Sequence, residues 1–243
     1  MRRLIFTLGC ATLLVSPAGA QDSVRVEDTA APTTPTRRPF VITPSVGLLR
    51  HDQHSALRRT SPAFGLDFVY RLNARFGVGL TGTVSRPETD GSYFPLVRIP
   101  AGDTSYYYRV SQRVVEYMYG VHGTASIPLG RFSPYAVGSL GRYTFTMDPQ
   151  AVGGTRRASG PMFALGAGIS FPVGQGTGIT VDLRDVVLAD FDRNEFDATD
   201  PLLWDPERFD PIPGGKPSAR STVHTLRLTI GLSFIPDDEE GSR

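Results

Sequence analysis

The sequence is poor in cysteine and has no long hydrophobic run beyond its start, and both shortages narrow the possible classes of protein. The only cysteine among 243 residues is Cys10, inside the apolar start of the chain, so disulfides cannot hold the rest together. No later segment approaches the roughly 18 apolar residues of a membrane-spanning helix. A net charge of +1 without a basic run disfavours a nucleic-acid partner.

The first twenty residues have the pattern of a secretory signal peptide. Arg2 and Arg3 precede an apolar run over residues 4–15, and small residues lead to Ala20. A positive start, a short apolar stretch and an Ala-x-Ala site are typical of such peptides. The sequence therefore predicts an exported protein, cleaved after Ala20, whose mature chain lacks cysteine.

The region 40–235 is organised by a period of two, which is clearest in its last segment. In residues 224–234, apolar side chains from Leu226 to Phe234 alternate with the polar or small set from Thr225 to Ser233. Such alternation is typical of a β-strand with one apolar face. The pattern recurs about seven more times, which predicts strands over 40–50, 63–72, 75–85, 114–129, 134–146, 161–171, 178–187 and 224–234.

The connections between these segments alternate between long and short. Long ones cover about 51–61, 86–112, 147–160 and 188–220, and the others are turns of a few residues. Because antiparallel neighbours alternate direction, all long connections emerge at one end. This arrangement predicts an all-β, eight-stranded antiparallel up-and-down transmembrane β-barrel over residues 40–235. An even strand count leaves both termini on the short-turn side, so residues 21–39 become a Pro/Thr-rich periplasmic linker, and 236–243 an acidic tail.

Alternation alone does not tell which face points inward. A soluble, periplasmic lipocalin-like barrel that binds an apolar ligand also alternates, with its apolar face inside. Charges on the polar face favour the opposite orientation, because they can pair across a narrow lumen. These charged residues are Asp67, Arg71, Glu116, Arg142, Asp182, Arg184 and Arg227.

Aromatic residues near the strand ends also favour a lipid-facing apolar surface, since two aromatic girdles flank the apolar band of membrane barrels. We expect Tyr70, Phe76, Tyr135, Phe171 and Phe234 at the turn side and Phe64, Tyr143 and Phe145 at the loop side. A strand of about ten residues tilted by about 45° spans roughly 24 Å, close to the apolar height required.

Three stretches give the chain a resemblance to a known family. They are residues 134–143 (PYAVGSLGRY), residues 179–184 (ITVDLR) and the closing GLSF of residues 231–234. With the signal peptide, they resemble the OmpA/OmpX-like family of small eight-stranded outer-membrane barrels. The resemblance implies a bacterial outer-membrane location, lipid and lipopolysaccharide as surroundings, and insertion by the barrel-assembly machinery. The sequence departs from the family in continuing beyond Phe234.

Catalytic chemistry has one candidate in the sequence. Lipid A deacylase barrels use a His-x-Ser pair with a carboxylate, and His122-Gly-Thr124 is the nearest match, with threonine in place of the nucleophile. Glu116 lies six residues away on the same face, roughly 20 Å along the strand. This distance is too long for Glu116 to orient His122. We therefore expect a protein without catalytic residues and keep a lipid A-modifying enzyme (deacylase-like) as the alternative.

A calcium-like pattern appears in the last long connection. Asp190, Asp192 and Asn194 match the first three ligand positions of a calcium loop, but Glu195 and Pro201 replace its glycine and its final glutamate. We therefore assign no metal or cofactor to residues 190–197. The expected role is structural or surface interaction, with long loops outside the cell that offer a site for an extracellular protein partner.

Overall fold

The computed structural model describes residues 40–90, 96–109, 111–147, 155–174, 176–196 and 218–235, and in 96–101 and 104–109 only the backbone. The predicted signal peptide, linker and acidic tail lie outside these residues and remain predictions. The strands are β1 (Phe40–His51), β2 (Thr60–Arg71), β3 (Phe76–Ser85), β4 (Leu96–Ala101), β5 (Thr104–Arg109), β6 (Val114–Ser126), β7 (Ser133–Met147), β8 (Arg156–Gly174), β9 (Thr177–Ala189) and β10 (Thr222–Phe234). Two short 3₁₀ helices cover Gln53–Ser55 and Arg193–Phe196.

Eight of the strands form one closed antiparallel barrel in the order β1-β10-β9-β8-β7-β6-β3-β2. Closure is made by β1 and β10, whose register runs from Ile42 opposite Phe234 to His51 opposite Thr225. Closure pairs the backbone groups of every strand edge, which a bilayer requires of any spanning sheet. The predicted fold class is confirmed.

The predicted strands agree with the observed ones within a few residues, with two differences. The β8 strand begins at Arg156, five residues before the predicted start, and extends the barrel wall at its long-connection end. Within the connection 86–113, β4 and β5 form a separate two-stranded sheet. In the described residues no helix is long and apolar enough to span a membrane.

The apolar face of the barrel points outward. In β10, the residues from Leu226 to Phe234 are exposed at every second position, and the residues from Thr225 to Ser233 between them are buried in the lumen. A lipocalin-like barrel requires the reverse, so that alternative is wrong. The outward apolar side chains form a belt, here called the apolar belt: Val46, Leu48, Phe64, Leu66, Phe68, Tyr70, Phe76, Val78, Leu80, Tyr117, Tyr119, Val121, Leu140, Phe163, Leu165, Ile169, Phe171, Val181, Leu183, Leu226, Leu228, Ile230, Leu232 and Phe234.

The β7 strand contradicts two predictions. Tyr143 and Phe145 were expected on the lipid-facing side, but both are buried in the lumen with no exposed surface. Tyr135 also points inward, whereas Arg142, predicted to face the lumen, is exposed outside. The faces of β7 are therefore opposite to the prediction, because aromatic rings fill the lumen here in place of charged or small side chains.

The pattern of polarity reverses near the end of the barrel that carries the long connections, here called the loop end. Beyond the apolar belt, outward positions become polar, as at Arg50, Arg157 and His224, and inward positions become apolar, as at Leu49 and Val223. An element with a polar exterior and an apolar interior is suited to water. The reversal therefore marks where the barrel leaves the apolar phase; the opposite end is called the turn end.

Candidate functional site

The middle of the lumen holds a network of four charges, three buried and one partly buried, contributed by strands on opposite walls. Arg184 Nε donates to Asp182 Oδ1 at 2.6 Å, and Arg184 Nη2 donates to Asp67 Oδ2 at 2.9 Å. Arg227 lies 3.4 Å from Asp182 Oδ1 and donates to Thr83 Oγ1 at 2.6 Å. Two arginines face two aspartates, so the charges balance, as buried charges require.

This network is the arrangement that the polar face predicted. Asp67, Asp182, Arg184 and Arg227 all point into the lumen, and cross-strand register brings them to one height. Tyr135, which the sequence placed outside, joins them by donating its hydroxyl to Asp182 Oδ2 at 3.0 Å. The network ties β2, β7, β9 and β10 together across the barrel.

The residues of the predicted catalytic alternative are not brought together. His122 Nδ1 lies 3.8 Å from Asp67 Oδ1, at the edge of the charge network. Thr124 Oγ1 is 3.5 Å from the carbonyl of Gly77, a distance too long to activate a hydroxyl. Glu116 sits at the loop end, where the Ser85 hydroxyl donates to its Oε2 at 2.6 Å. Ser139 lies directly opposite His122 across β6 and β7 and is also buried, but its Oγ has no hydrogen-bond partner among the described residues, so it is not hydrogen-bonded to the His122 ring.

A second polar cluster, which the sequence analysis missed, surrounds Glu116. His51 Nε2 lies 3.1 Å from Ser61 Oγ and 3.8 Å from Glu116 Oε2, and His51 Nδ1 lies 3.4 Å from Thr225 Oγ1. Serine and glutamate approach the same ring nitrogen, whereas a catalytic triad places them on opposite nitrogens. The alternation of β1, β2 and β6 put these residues inside, but only their common height in the closed barrel brings them together.

The loop end of the lumen is filled by an apolar plug made of inward side chains and of the two 3₁₀ segments. Its members are Leu49, Ala56, Leu57, Ala63, Val114, Met118, Tyr143, Phe145, Met147, Ala158, Met162, Ala164, Val186, Leu188, Phe191, Phe196 and Val223. Phe145 is at its centre: its ring centroid lies 5.5 Å from that of Tyr143, 5.9 Å from Phe191 and 5.4 Å from Phe196. These rings close the lumen towards the long connections.

Glycines opposite the inward tyrosines make space for their rings. Gly160 pairs with Tyr143 across β7 and β8, and Gly168 pairs with Tyr135. A Cβ atom at either glycine would collide with the tyrosine ring. The Tyr143 hydroxyl then reaches past Gly160 to donate to the carbonyl of Ala189 at 3.0 Å. The orientation of β7 therefore depends on small residues in β8.

The turn end of the lumen is open and polar. A cavity of about 180 Å³ extends from the short turns to the charge network. Hydroxyl groups line it together with the rings of His122 and Tyr135: Thr43, Ser45, Thr124, Ser126, Ser170, Thr180, Thr229 and Ser233. These hydroxyl groups make the surface suited to water or a small polar solute.

The acidic residues of the last long connection have structural contacts. Asp192 Oδ1 accepts from the backbone N–H of Asn194 at 2.8 Å and the Asp192 carbonyl accepts from Glu195 N, so this residue caps the second 3₁₀ helix. Among the described residues there is no group of three acidic, histidine or cysteine side chains that could hold a metal. The rest of the calcium-like stretch, from residue 197, lies outside the described residues.

The closed sheet, its apolar belt and its charged lumen together define the architecture. The chain has the fold of a small outer-membrane β-barrel. No protein-family model matches the sequence, and no curated protein matches it.

Several solved structures share the barrel. The chain is similar to Neisserial surface protein A, with 9% identity and a TM-score of 0.49 over 82% of this chain and 97% of that chain. It is also similar to the attachment invasion locus protein Ail of Yersinia pestis, with 13% identity and a TM-score of 0.40 over 80% of this chain and 99% of that chain. The outer membrane protein OprG from Pseudomonas aeruginosa matches with 9% identity and a TM-score of 0.42 over 82% of this chain and 96% of that chain. The resemblance expected from the sequence is confirmed as a likeness of fold, and the assignment of the architecture rests on the barrel itself.

Proposed function

We propose that this protein is an integral barrel of the bacterial outer membrane, with a non-catalytic structural or surface-interaction role. The observation that carries the proposal is the apolar belt, bounded at the loop end by the reversal of polarity. In water such a belt would be an aggregation hazard, whereas in lipid it is the favoured surface. The belt is in contact with outer-membrane lipid, and its upper edge with lipopolysaccharide.

The signal peptide would direct the chain through the inner membrane, with cleavage after Ala20, and the barrel-assembly machinery would insert it. The turn end then faces the periplasm and the loop end faces the outside. This orientation is supported by the short turns, because outer-membrane barrels carry their short connections on the periplasmic side.

The non-catalytic role is supported by the contacts of the polar side chains. Ser139, opposite His122 on β7, makes no hydrogen bond to the His122 ring among the described residues, and the cluster of His51 and Glu116 is buried at the level of the plug. If the protein were a lipid A acyl hydrolase, His122→Ala and Thr124→Ala would both change the lipid A acylation pattern of cells that express it. We expect mass spectra of lipid A to be identical for these variants and the parent protein.

A surface-interaction role is supported by the β4–β5 sheet. Within the part of the chain that the structure describes, its two strands pair only with each other, from Leu96 opposite Arg109 to Ala101 opposite Thr104. A lone two-stranded sheet is marginally stable in water, and both of its outer edges offer backbone groups to another strand. An extracellular protein partner that docks on this hairpin would stabilise it.

Membrane insertion is tested by fractionation and by electrophoresis of heated and unheated samples. A closed barrel resists SDS until it is boiled, so we expect outer-membrane recovery and a band that shifts on heating. Recovery as a soluble periplasmic protein without a shift would contradict the proposal.

Orientation is tested by single-cysteine variants, because the predicted mature chain has none. Asp103→Cys lies in the exposed turn between β4 and β5, and Ala74→Cys lies in the short turn between β2 and β3. On intact cells, a membrane-impermeant thiol reagent should label Asp103→Cys and leave Ala74→Cys unmodified. Labelling of Ala74→Cys alone would place the long connections in the periplasm.

A further inference from the structure

The inner wall of the turn-end cavity contains two buried polar atoms that lack a hydrogen-bond partner. His122 Nδ1 and Asp67 Oδ1 lie 3.8 Å apart, and among the described residues neither atom makes a hydrogen bond. His122 is only 4% exposed, and both residues line the cavity. A buried polar atom without a partner is costly, so a group that satisfies both atoms at once would be bound favourably.

The cavity has the size and the walls for a small polar molecule. It encloses about 180 Å³, which is room for roughly six water molecules at liquid density. The hydroxyl groups of its wall can each donate and accept a hydrogen bond. The apolar plug closes the lumen at the loop end, so a solute that enters from the turn end is held and is not conducted through the barrel.

The chemistry of the inner wall favours a hydroxyl group over an ion. A hydroxyl group can donate to Asp67 Oδ1 and at the same time accept from the His122 ring. An anion would meet the unpaired oxygen of Asp67. A metal cation would meet Arg184, whose Nη2 donates to Asp67 Oδ2 at 2.9 Å. Both kinds of ion are therefore disfavoured at this wall.

We propose that the turn-end cavity binds a small neutral polyol, with one of its hydroxyl groups between Asp67 Oδ1 and His122 Nδ1. A hydroxyl oxygen about 2.8 Å from each atom spans their separation without movement of the strands. Neither atom has surface open to the cavity, so binding includes a small rotation of the ring and of the carboxylate, which their broad terminal torsions allow. The other hydroxyl groups of the polyol bond to the threonine and serine side chains of the wall.

The site goes beyond the proposed function, because it requires the closed barrel and no surface partner. The orientation proposed above makes the periplasm the source of its ligand, since the cavity opens at the turn end.

The test uses the full barrel, refolded in a zwitterionic detergent without a sugar headgroup, with isotope-labelled histidine rings. The chain has four histidines, and of these His122 lines the cavity. Xylitol is the probe, and we expect it to move the ring signals of His122 in a saturable way and to leave those of His51, His54 and His224 in place. The comparison ligand is 1,5-pentanediol, which keeps the carbon chain and lacks the three inner hydroxyl groups. It should bind about tenfold more weakly, because it leaves polar atoms of the cavity without partners.

Variants of the ring nitrogen sharpen the test, with xylitol binding followed by saturation-transfer spectra of the ligand. His122→Phe should weaken binding about fivefold, the loss expected for one hydrogen bond. His122→Asn should bind more tightly than His122→Phe, because its amide nitrogen can take the place of Nδ1. The matched control is His224→Phe, which changes an exposed histidine at the loop end and should bind as the parent does.

Equal affinity of the parent for xylitol and 1,5-pentanediol would overturn the proposal, as would a shift of the His122 signals by Zn²⁺ and not by xylitol. Both comparisons use the parent alone, so they decide the question even if His122→Phe does not fold. The heat-dependent band shift of the same samples separates two kinds of failure. A parent protein that shows the band shift but no saturable change at His122 overturns only the polyol site. A parent protein without the band shift overturns the closed barrel, and the polyol site with it.

Discussion

The two ends of the lumen are built from the same strands but differ in chemistry. At the loop end, β1, β7, β9 and β10 contribute Leu49, Phe145, Leu188 and Val223 to the dry plug. At the turn end, the same four strands contribute Ser45, Tyr135, Thr180 and Ser233 to the open polar cavity. The difference shows that the inward side chains of each of these strands change from polar at the turn end to apolar at the loop end.

The largest effect is expected from the charge network between the two ends. Asp182→Asn leaves Arg184 and Arg227 without their shared carboxylate, and a buried charge that loses its partner costs about 3–5 kcal/mol. Urea unfolding of the refolded barrel measures the fall in the free energy of unfolding. Asp185→Asn on the same strand changes an exposed pair and should alter it by less than about 1 kcal/mol. Equal losses for the two variants would refute the pairing.

The plug should be the next most sensitive region. Phe145→Ala leaves a cavity among Tyr143, Phe191 and Phe196, and a truncation of this kind in a packed core costs about 3–4 kcal/mol. Phe171→Ala removes an outward ring, and detergent or lipid chains can fill the space that it leaves. We therefore expect a smaller fall in the free energy of unfolding in the same urea titration. If Phe145→Ala lowered the free energy of unfolding by less than Phe171→Ala does, the plug would not be a packed core.

The same change, valine to alanine, can be made at both ends of the lumen and compares them directly. Val223→Ala in the plug removes about two buried methylene equivalents and should cost about 2 kcal/mol, whereas Val69→Ala at the cavity should cost about half as much. Val69 is already partly in contact with the open cavity, so less apolar surface is lost. Equal costs would mean that the turn end is packed as tightly as the loop end.

The smallest effect is expected at Glu116. Glu116→Gln keeps the shape, and the amide oxygen can still accept from Ser85, so the free energy of unfolding should change by less than about 1 kcal/mol. No arginine contacts this carboxylate among the described residues, and its nearest basic atom is His51 Nε2 at 3.8 Å. A loss as large as that of Asp182→Asn would show that Glu116 is the acid of an ion pair.

The sequence was sufficient for the barrel because its signals are local. Alternation in β10 and the alternating lengths of the connections depend only on neighbours in the chain. The orientation of β7 was predicted wrongly because apolar residues suit both lipid and a dry lumen, and alternation does not separate the two. Its inward tyrosines could have been recognised only from their pairing with Gly160 and Gly168, which requires the register.

The candidate sites were harder to predict because they combine residues from distant strands. The sequence placed Glu116 and His122 on one face of β6 but roughly 20 Å apart. Their partners come from other strands, since closure brings Glu116 to His51 of β1 and His122 to Asp67 of β2. Which residues share a height depends on strand tilt and shear, which no single segment encodes.

Closure of the sheet between β1 and β10 also constrains how the chain reaches its native state. The two strands that complete the barrel lie at opposite ends of the folded region, so their pairing has almost the largest sequence separation available. Before β10 arrives, β1 and β9 each have an open edge, and each unpaired backbone group would cost several kcal/mol in lipid. Insertion strand by strand during synthesis is therefore unfavourable. A chain of this topology must remain unfolded, and protected from aggregation, until the segment ending at Phe234 is available to pair.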